Sequence, residues 1–484
     1  MGITAEEVID KIRLGEVLKG EDLREILLEK ATLVGARLPE CDLSASKLMG
    51  AELRGSDLSG ANLEGADLRY CDLREVDFRG ARLVRAKLSF SQLDGARLDA
   101  ADLGGAEVDR ATFAGGSIAS TRWMEAVLND VDLSKVAGLE GLDFTEADLD
   151  SVLMPGVTLQ RVCFREAHLR LVSFQRARLA DVDFTGCRFS RVTLDRVEAP
   201  ALSFREVKFV NCTFREARLE KADLLGTVFE ACDLSGAKFS ESDLRKTHAN
   251  RYTVAKGAVF DSCDFSSAVL DGADFSGASL RGVKLQGASL RSTNFTGCDL
   301  EGADFTGAVI EGAKLAQVRL KGAVLPIHML LSRELVLDGL DLGGITIEDA
   351  SFPGVCWKGV RLAGAKLLRA NFQGADLSRA DLTGADLSGS NLAGANLASA
   401  CLANARLEGA DLREAKFKGA DLNGAALQGA NAEWKDIRHA SFGPETLVGL
   451  TLHGEIAGLP QKNLPGAFEV KKNLAAVLHR MKTE

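Results

Sequence analysis

The sequence predicts a solenoid, a chain wound into stacked coils, from three features of one repeat. In residues 363–422 a large apolar residue recurs at every fifth position, from Leu367 to Leu422. A small residue, usually Ala, stands two places before each large one, and a polar residue, usually Asp or Asn, stands one place before it. A period of five fits neither a helix, whose apolar stripe recurs at three and four, nor a strand, which alternates every two. The chain must therefore turn a corner in every repeat, with the large and small residues inside.

The repeat resembles that of the pentapeptide-repeat family over almost the whole chain, as "ADLTGADLSGSNLAGANL" at 380–397 illustrates. The resemblance implies an all-β fold, a right-handed quadrilateral β-helix with four repeats in each coil and coils about 4.8 Å apart. The interior positions from Leu18 to Leu452 then amount to about twenty coils, which form a rod on the order of 100 Å long. Short helices are expected to cap both ends.

Two rows of phenylalanine give an independent check on the four-sided coil. If four repeats of five residues make one coil, side chains twenty residues apart should stack directly and fill one side of the tube evenly. The phenylalanines at this spacing are Phe144, Phe164, Phe184 and Phe204 in one row, and Phe189, Phe209 and Phe229 in the other.

Residues 1–17 form the predicted N-terminal cap, a short helix over the first coil. Thr4 is placed to cap the helix, Glu7 completes a capping box, and Gly15 ends the helix. The apolar face of this helix consists of Val8, Ile9 and Ile12. A helix here covers an open edge that would otherwise pair with other strands.

Interruptions of the five-residue period divide the repeats into four segments. The period slips by one residue near 134–142, and it weakens where Ala199 takes an interior position beside Pro200. It breaks at "RKTHANRYTV" and again at "PIHMLLSRE". The predicted divisions are a first segment at 18–133, a Phe- and Arg-rich segment at 134–244, a loop break at 245–257, a third segment at 258–325, a loop break at 326–336 and a fourth segment at 337–452.

The two loop breaks are the first candidates for partner contact, because binding residues tend to lie on loops held by a rigid scaffold. The alternative interpretation is that each break only joins two stretches of solenoid. The candidate contact residues in the breaks are His248, Arg251, Tyr252, His328, Met329 and Arg333.

Residues 453–484 are predicted to cap the last coil with an amphipathic helix. Five apolar residues lie there at helical spacing, namely Val470, Leu474, Val477, Leu478 and Met481. In some members of the family a C-terminal element also makes the dimer contact. The resemblance therefore implies a homodimer through this cap as one expected assembly.

The sequence contains no catalytic, cofactor-binding or metal-binding pattern. None of the six His belongs to a His/Cys/carboxylate spacing for a metal or a nucleophile. Asp precedes interior residues throughout the chain, so the acids select no single site. Most Cys stand at small interior positions and are expected to pack there, with Cys212 and Cys232 spaced to stack as a thiol pair. We expect no enzyme activity, no cofactor and no metal.

Charge is distributed unevenly along the chain, whose formal net charge is −10. Residues 1–160 hold 30 acidic and 18 basic residues, a net charge of −12, whereas residues 161–221 hold 13 basic and 8 acidic residues, a net charge of +5. Arg176 and Arg196 should stack as outward neighbours, either as a contact for an anionic partner or as a solvated face. A second row is expected to alternate in sign and to pair across coils; it consists of Arg178, Glu198 and Arg218.

No hydrophobic run approaches the length of a membrane span, and the first thirty residues lack the pattern of a signal peptide. We expect a bacterial cytoplasmic protein, or one secreted by a route that needs no signal peptide. Neither membrane association nor direct binding to nucleic acid is expected.

Two kinds of non-enzymatic function follow from the resemblance. Long pentapeptide-repeat proteins, often with openings similar to "GEVLKGEDLREILLEKATL", occur beside spike proteins of contractile (type VI) secretion systems, and others are secreted effectors. This favours a protein–protein interaction scaffold or adaptor, as an accessory or effector of a bacterial secretion system. The alternative is a DNA mimic that binds DNA gyrase or another topoisomerase, as small members that protect bacteria from quinolones do. The acidic N-terminal third agrees with that alternative.

Overall fold

The computed structural model describes residues 3–325, 330, 341–453, 467–470, 475, 479 and 482. These residues form a parallel-strand β-solenoid, which confirms the predicted fold class. The solenoid has about 17 turns, slightly fewer than the about twenty that the number of interior positions predicts. The predicted loop break at 326–336, with His328, Met329 and Arg333, lies outside the described residues.

Backbone pairing confirms the four-sided coil of twenty residues. In the first coil Val17, Asp22, Leu27 and Thr32 each form a parallel bridge to the residue twenty places further along the chain. Four bridged positions, five residues apart, therefore make one coil, and each side of the coil is a short segment of parallel sheet.

The interior is built from the large and small residues of each repeat, as predicted. Leu387 and Ala385 are both fully buried. Rings of Phe144 and Phe164 stack with centroids 5.1 Å apart, and the row continues through Phe184 to Phe204 at 5.3 and 5.4 Å. Since these phenylalanines are twenty residues apart, their stacking confirms the period independently of the leucines.

Several polar side chains at the small interior positions donate to a carbonyl of the coil before them. The Ser56 hydroxyl donates to the Leu33 carbonyl at 2.9 Å, and the Cys71 thiol donates to the Leu48 carbonyl at 2.9 Å. Burial raises the pKa of Cys71 to about 12. Cys212 and Cys232 are buried one coil apart, where the Cys212 thiol donates to the Val210 carbonyl and the Cys232 thiol to the Phe209 carbonyl, each at 3.5 Å. These thiols pack as small buried groups, in agreement with the prediction.

The outward Asp of the repeat stabilises the corner that follows it. The Asp386 carboxylate accepts the backbone N–H of Ser388 at 3.1 Å, and Asp42 accepts that of Ser44 at 3.0 Å. This is an Asx-turn, in which the side chain replaces a backbone acceptor at the turn. The frequent Asp of the sequence is thus a turn residue, and it does not mark a site of acid–base chemistry.

Regular elements beyond isolated bridges are short. Two α-helices, α1 (Ala5–Arg13) and α2 (Trp434–Ile437), and one 3-10 helix (Pro444–Leu447) lie in the described residues. The strands there are β1 (Glu107–Asp109), β2 (Val127–Asn129), β3 (Asp148–Asp150), β4 (Thr158–Gln160), β5 (His168–Arg170), β6 (Arg178–Ala180), β7 (Arg188–Ser190), β8 (Lys208–Val210), β9 (Val228–Glu230), β10 (His248–Ala249), β11 (Asn431–Glu433), β12 (Thr451–His453) and β13 (Ala467–Glu469). One sheet runs in the order β1-β2-β3-β5-β7-β8-β9-β10, and β4 pairs with β6.

Both ends of the described chain carry caps. Thr4 caps helix α1, the side chains of Thr4 and Glu7 form the predicted capping box, and Val8 of this helix is buried. At the other end β13 pairs antiparallel with β12. Val470 follows β13 and exchanges backbone hydrogen bonds with Gly449 and Leu450 at 2.8 and 2.7 Å.

Val470 was predicted to belong to the C-terminal helix, and the structure corrects this assignment. The residue extends the antiparallel pairing because its backbone groups bond to the last coil. The other four apolar residues of that predicted helix lie outside the described residues.

The chain divides into two compact units, Met1–Asp274 and Phe275–Glu484. The division lies within the predicted third segment at 258–325. The first unit contains α1 and β1–β10, and the second contains α2, the 3-10 helix and β11–β13. The features described below belong to the first unit.

Candidate functional site

The coil changes length once within the predicted loop break at 245–257. Val228 pairs with His248, twenty residues later, whereas Asp233 pairs with Val254, twenty-one residues later. One extra residue therefore lies between His248 and Val254. Pairing continues on both sides, since His248 N–H donates to Thr227 O and Val254 N–H donates to Cys232 O, each at 2.9 Å. The break corresponds to a single-residue insertion in the coil, comparable to a β-bulge.

Asn250 holds the inserted turn in place. Its side-chain oxygen accepts the backbone N–H of Ala231, in the coil before, at 3.0 Å, and that of Tyr252 at 3.1 Å. The Thr253 hydroxyl donates to the Phe229 carbonyl at 2.9 Å. These bonds join the insertion to the preceding coil, so residues 250–253 are a fixed part of the solenoid.

Small residues occupy the interior positions at the insertion. The large interior position is Leu244 before it and Phe260 after it, but the two positions between are occupied by Ala249 and Ala255. Ala249 borders a cavity of about 590 Å³, lined by residues 228–230, 248–252, Val269 and Asp271. This volume falls within the range of small-molecule and side-chain binding sites. We call this cavity the insertion groove.

The lining of the insertion groove is mixed in character. His248 lies between Val228 and Val269, with which it pairs on the two sides. Glu230 and Asp271 add carboxylates to the lining. An apolar surface with a few polar groups around it is typical of a recognition site.

Arg251 and Tyr252 form a preorganised pair beside the groove. The Arg251 guanidinium donates to the Tyr252 hydroxyl at 2.6 Å, and its Cζ atom lies 4.8 Å from the centre of the Tyr252 ring. Tyr252 is 60% exposed. A Cβ atom at Gly272, whose φ is +73°, would lie 2.7 Å from the Arg251 Cβ. The corner of the next coil thus accepts Arg251 only because residue 272 is Gly.

The structure brings together three of the predicted contact residues, His248, Arg251 and Tyr252, all of which line the groove. Arg176 and Arg196 lie elsewhere, at left-handed turn positions with φ of +59° and +57°. They are one coil apart, but the residue one coil beyond Arg196 is an acid, Glu216. The Nε and Nη2 atoms of Arg196 donate to both carboxylate oxygens of Glu216 at 2.9 and 3.1 Å, and this bond lowers the pKa of Glu216.

In the predicted alternating row, Arg178 Nε donates to Glu198 at 3.0 Å, whereas Arg218 bridges Glu198 through the backbone and forms no ion pair with it. Sequence reasoning missed Asn250, Asp271 and Gly272. It also missed the pair of alanines, although Ala249 and Ala255 are visible in the sequence as two small residues at successive interior positions. That pair is the signal that could have located the groove.

The described part of the chain has no group of three or more His, Cys, Asp or Glu placed to hold a metal ion. Among the helices described, none has both the length and the hydropathy that a membrane crossing requires. The groove offers apolar contact, hydrogen-bonding groups and charge.

A family model with the description "Pentapeptide repeats (8 copies)" matches most of the chain. The matched residues are 26–65, 46–83, 61–99, 154–191, 202–248, 252–287, 284–322, 358–394 and 390–429. No curated protein matches the chain in sequence.

Three solved structures illustrate the similarity. HetL, a pentapeptide repeat protein involved in heterocyst differentiation regulation from the cyanobacterium Nostoc sp. strain PCC 7120, is 25% identical over 67% of this chain and 98% of its own, with a TM-score of 0.15. QnrB1, a plasmid-mediated fluoroquinolone resistance protein, is 20% identical over 49% of this chain and 90% of its own, with a TM-score of 0.16. Rfr23, a pentapeptide repeat protein from the cyanobacterium Cyanothece 51142, is 18% identical over 28% and 88%, with a TM-score of 0.10. At these TM-scores the structures carry no functional conclusion.

Proposed function

Because the chain belongs to the pentapeptide-repeat family, we propose that it is a non-enzymatic protein–protein interaction scaffold that binds its partner at the insertion groove. The repeat fold fits a scaffold of this kind. One observation carries the choice of site: the solenoid departs from its period at 245–257, and a cavity beside an exposed Arg–Tyr pair lies at that departure.

The residues of the groove favour a protein as the partner. Tyr and Arg are enriched among the few side chains that carry most of the energy of a protein interface. Here the two side chains already contact each other, so binding requires little further loss of side-chain freedom. Val228 and Val269 supply apolar surface beside them, and His248, Glu230 and Asp271 supply hydrogen-bonding groups.

A scaffold also explains why the acidic residues need no catalytic role. The Asp carboxylates that recur along the chain are occupied by turn N–H groups, as at Asp42 and Asp386. A general acid or base needs a free carboxyl in a shaped site together with a substrate position. Because these carboxylates stabilise the turns, we infer that the surface serves to bind a partner.

The two exposed tyrosines of the chain provide a matched test. Tyr252 is 60% exposed beside the groove, and Tyr70 is 59% exposed and stacks on Phe90 with ring centroids 5.0 Å apart. The immobilised full chain and its variants Tyr252→Ala and Tyr70→Ala would be compared by quantitative affinity capture from the producing cells. We expect at least one protein to be lost by Tyr252→Ala and kept by Tyr70→Ala. Identical captured sets for the two variants would reject the groove as the contact site.

Gyrase binding by DNA mimicry is the second candidate, and the net charge of −12 in residues 1–160 favours it. Some carboxylates of this stretch are occupied by ion pairs within the chain, however, which leaves the net charge unchanged but makes these carboxylates less available to a partner. The guanidinium groups of Arg69, Arg74 and Arg79 each bind the carboxylate two residues before them at 2.5–2.6 Å. A supercoiling assay with the purified chain at micromolar concentration tests this candidate, and unchanged gyrase activity would remove it.

The role in a bacterial secretion system and the homodimer through the C-terminal cap stay predictions. The first would be tested by co-purification with the spike protein of a contractile system. Sedimentation equilibrium of the purified chain would test the second, and a single monomeric species would exclude the dimer.

A further inference from the structure

Three basic side chains lie directly beside one another on the sheet that leads to the insertion groove. His168 on β5 pairs in register with Arg188 on β7, and Arg188 pairs with Lys208 on β8. All three are exposed. Neighbouring strands lie about 4.8 Å apart, so the three side chains form a continuous outward row. We call it the basic row.

Like charges directly opposite each other on paired strands destabilise a sheet. Some other bases of this unit are paired with a neighbouring acid, as Arg196 is with Glu216 and Arg178 with Glu198. Lys208 binds Glu230 at 2.8 Å, but within residues 3–325 no acid pairs with the Arg188 guanidinium. Arg188 therefore keeps an unneutralised charge next to a second cation.

The interior of these strands holds the basic row rigidly. Phe189 and Phe209 follow Arg188 and Lys208 in the chain and point inward, with ring centroids 4.6 Å apart. Phe209 stacks on Phe229 at 5.5 Å. Because these rings fill the tube below, the backbone that carries Arg188 and Lys208 cannot shift to separate their charges.

The basic row continues directly into the insertion groove. Lys208 pairs with Val228, Val228 pairs with His248, and His248 pairs with Val269. One line of outward side chains thus passes from cations to the apolar lining of the groove. A ligand that lies along this line would meet positive charge first and an apolar surface next.

We propose that the basic row binds an acidic segment of the protein partner, followed by an apolar side chain that enters the insertion groove. The proposal rests on the proposed function, since it specifies the partner of the same site. Carboxylates on the partner would relieve the repulsion between Arg188 and Lys208, and such complementarity also speeds association and excludes basic competitors.

A nucleic acid fits this surface less well than an acidic protein segment. The row covers only three strands, which span about 10 Å, whereas a nucleic acid presents charge along its whole length. Beyond His168 the same line continues to the carboxylate of Asp148, which would repel a long polyanion. A short cluster of carboxylates matches the extent of the row.

The test uses the full chain and two fluorescein-labelled peptides, GEEEEGLF amide and its neutral counterpart GQQQQGLF amide, in fluorescence anisotropy at low salt. We expect the acidic peptide to bind at least about tenfold more tightly, because the charge contact is weakly screened there. The variant R188Q/K208Q should lose about tenfold of that affinity. The control R178Q/R218Q removes the same two charges from the opposite side of the coil and should change the affinity less than about twofold.

Equal loss in both double variants would show a net-charge effect and overturn the proposal, as would equal affinity for the two peptides. Binding of a twenty-base-pair DNA duplex with the same dependence on Arg188 would also overturn it in favour of a nucleic acid. Circular dichroism checks that each variant is folded. If capture of a protein depends on Tyr252 while the acidic peptide fails to bind, the proposed function stands and this inference alone falls.

Discussion

Two leucines of the first unit differ in what surrounds them and so isolate the contribution of the interior. Leu48 is 1% exposed, whereas Leu27 is 68% exposed. Leu48→Ala should lower the free energy of unfolding by about 2–5 kcal/mol, because it removes buried surface and leaves a cavity between stacked coils. Leu27→Ala should change it by no more than about 0.5 kcal/mol. Urea unfolding followed by circular dichroism measures both, and similar losses would contradict the interior assignment.

Three Asp–Arg pairs make the stability of the first unit depend on acid pH. Hydrogen bonds from Arg69, Arg74 and Arg79 lower the pKa values of the carboxyls two residues before them, those of Asp67, Asp72 and Asp77. The folded pKa of each is thus below the unfolded value of about 3.9. Their contribution is present above that pH and is lost as the pH falls through the folded pKa values.

Thermal melts between pH 6 and pH 2 would show this dependence as a falling Tm at the acid end. The variant R69Q/R74Q/R79Q removes the three donors and should show a smaller fall over the same range. An equal fall in the variant would mean that other carboxylates account for the acid lability. The effect should be modest, because these pairs are partly exposed and solvent screens them.

At the level of single residues, the sequence predicted burial better than it predicted polar contacts. The position of Leu387 inside the tube follows from the five-residue period alone. The bond from Ser388 to Asp386 does not, because an outward Asp is equally compatible with a solvated side chain. Likewise, the ion pair of Arg196 with Glu216 depends on which residues stack twenty apart at a corner. The prediction considered only Arg176 and Arg196 and did not extend to Glu216 in the next coil.

The inserted turn requires glycine at one corner of the coil that follows it. Gly272 and Gly257 both have left-handed backbones, with φ of +73° and +61°, but only at Gly272 would a Cβ approach Arg251, to 2.7 Å. Gly257→Ala should cost about 1 kcal/mol from backbone strain alone. Gly272→Ala should cost more, since the added contact displaces Arg251 and with it the Tyr252 ring.

The double variant G272A/R251G separates the two causes. It should regain part of the stability that Gly272→Ala loses, because the clash is removed and only the strain remains. Chemical denaturation gives the four free energies needed. If the double variant is no more stable than Gly272→Ala, the close approach in the structure does not determine the cost.

The insertion shows what a repeat pattern can and cannot reveal about an element. The shift of register between Leu244 and Phe260 is visible in the sequence and located the departure correctly. The sequence leaves open whether this shift is a loop or a joint between two stretches of solenoid, because counting residues does not show whether the backbone stays paired. The Asn250 bonds and the pairing of β10 keep it in the coil. The groove lies beside this turn, on the outward side of a backbone that stays paired with the neighbouring coils.

Across the whole molecule, net charge is a poor guide to the surface that a partner meets. The formal charge of −10 and the acidic first 160 residues suggest an anionic protein. These totals do not show where the charges lie: acids at the corners are paired with arginines, as Asp67 is with Arg69, whereas Arg188 and its neighbour Lys208 stand together on a rigid sheet beside the groove. For the proposed partner contact, the positions of individual charged residues on aligned coils matter more than the total charge of the chain.

The regular coils account for the fold and leave the function to the departures from regularity. Fold class was predictable because one short period is repeated along most of the chain and tolerates few alternatives. The candidate site was only partly predictable: the sequence predicts His248, Arg251 and Tyr252 as contact residues and the structure places them together, whereas the basic row required the register of β5, β7 and β8. Rows along a solenoid connect residues twenty apart, which are not neighbours in the sequence.

Site-specific photocrosslinking tests most directly whether partner contact is confined to the insertion groove. Benzoylphenylalanine would replace Tyr252 in one version of the full chain and Tyr70 in another, and both would be irradiated in the producing cells. The two positions are equally exposed, at 60% and 59%, so chance encounters should label them alike. We predict a defined protein adduct at position 252 and none at position 70. Adducts of equal yield at both positions, or at position 70 alone, would contradict the assignment of the contact site.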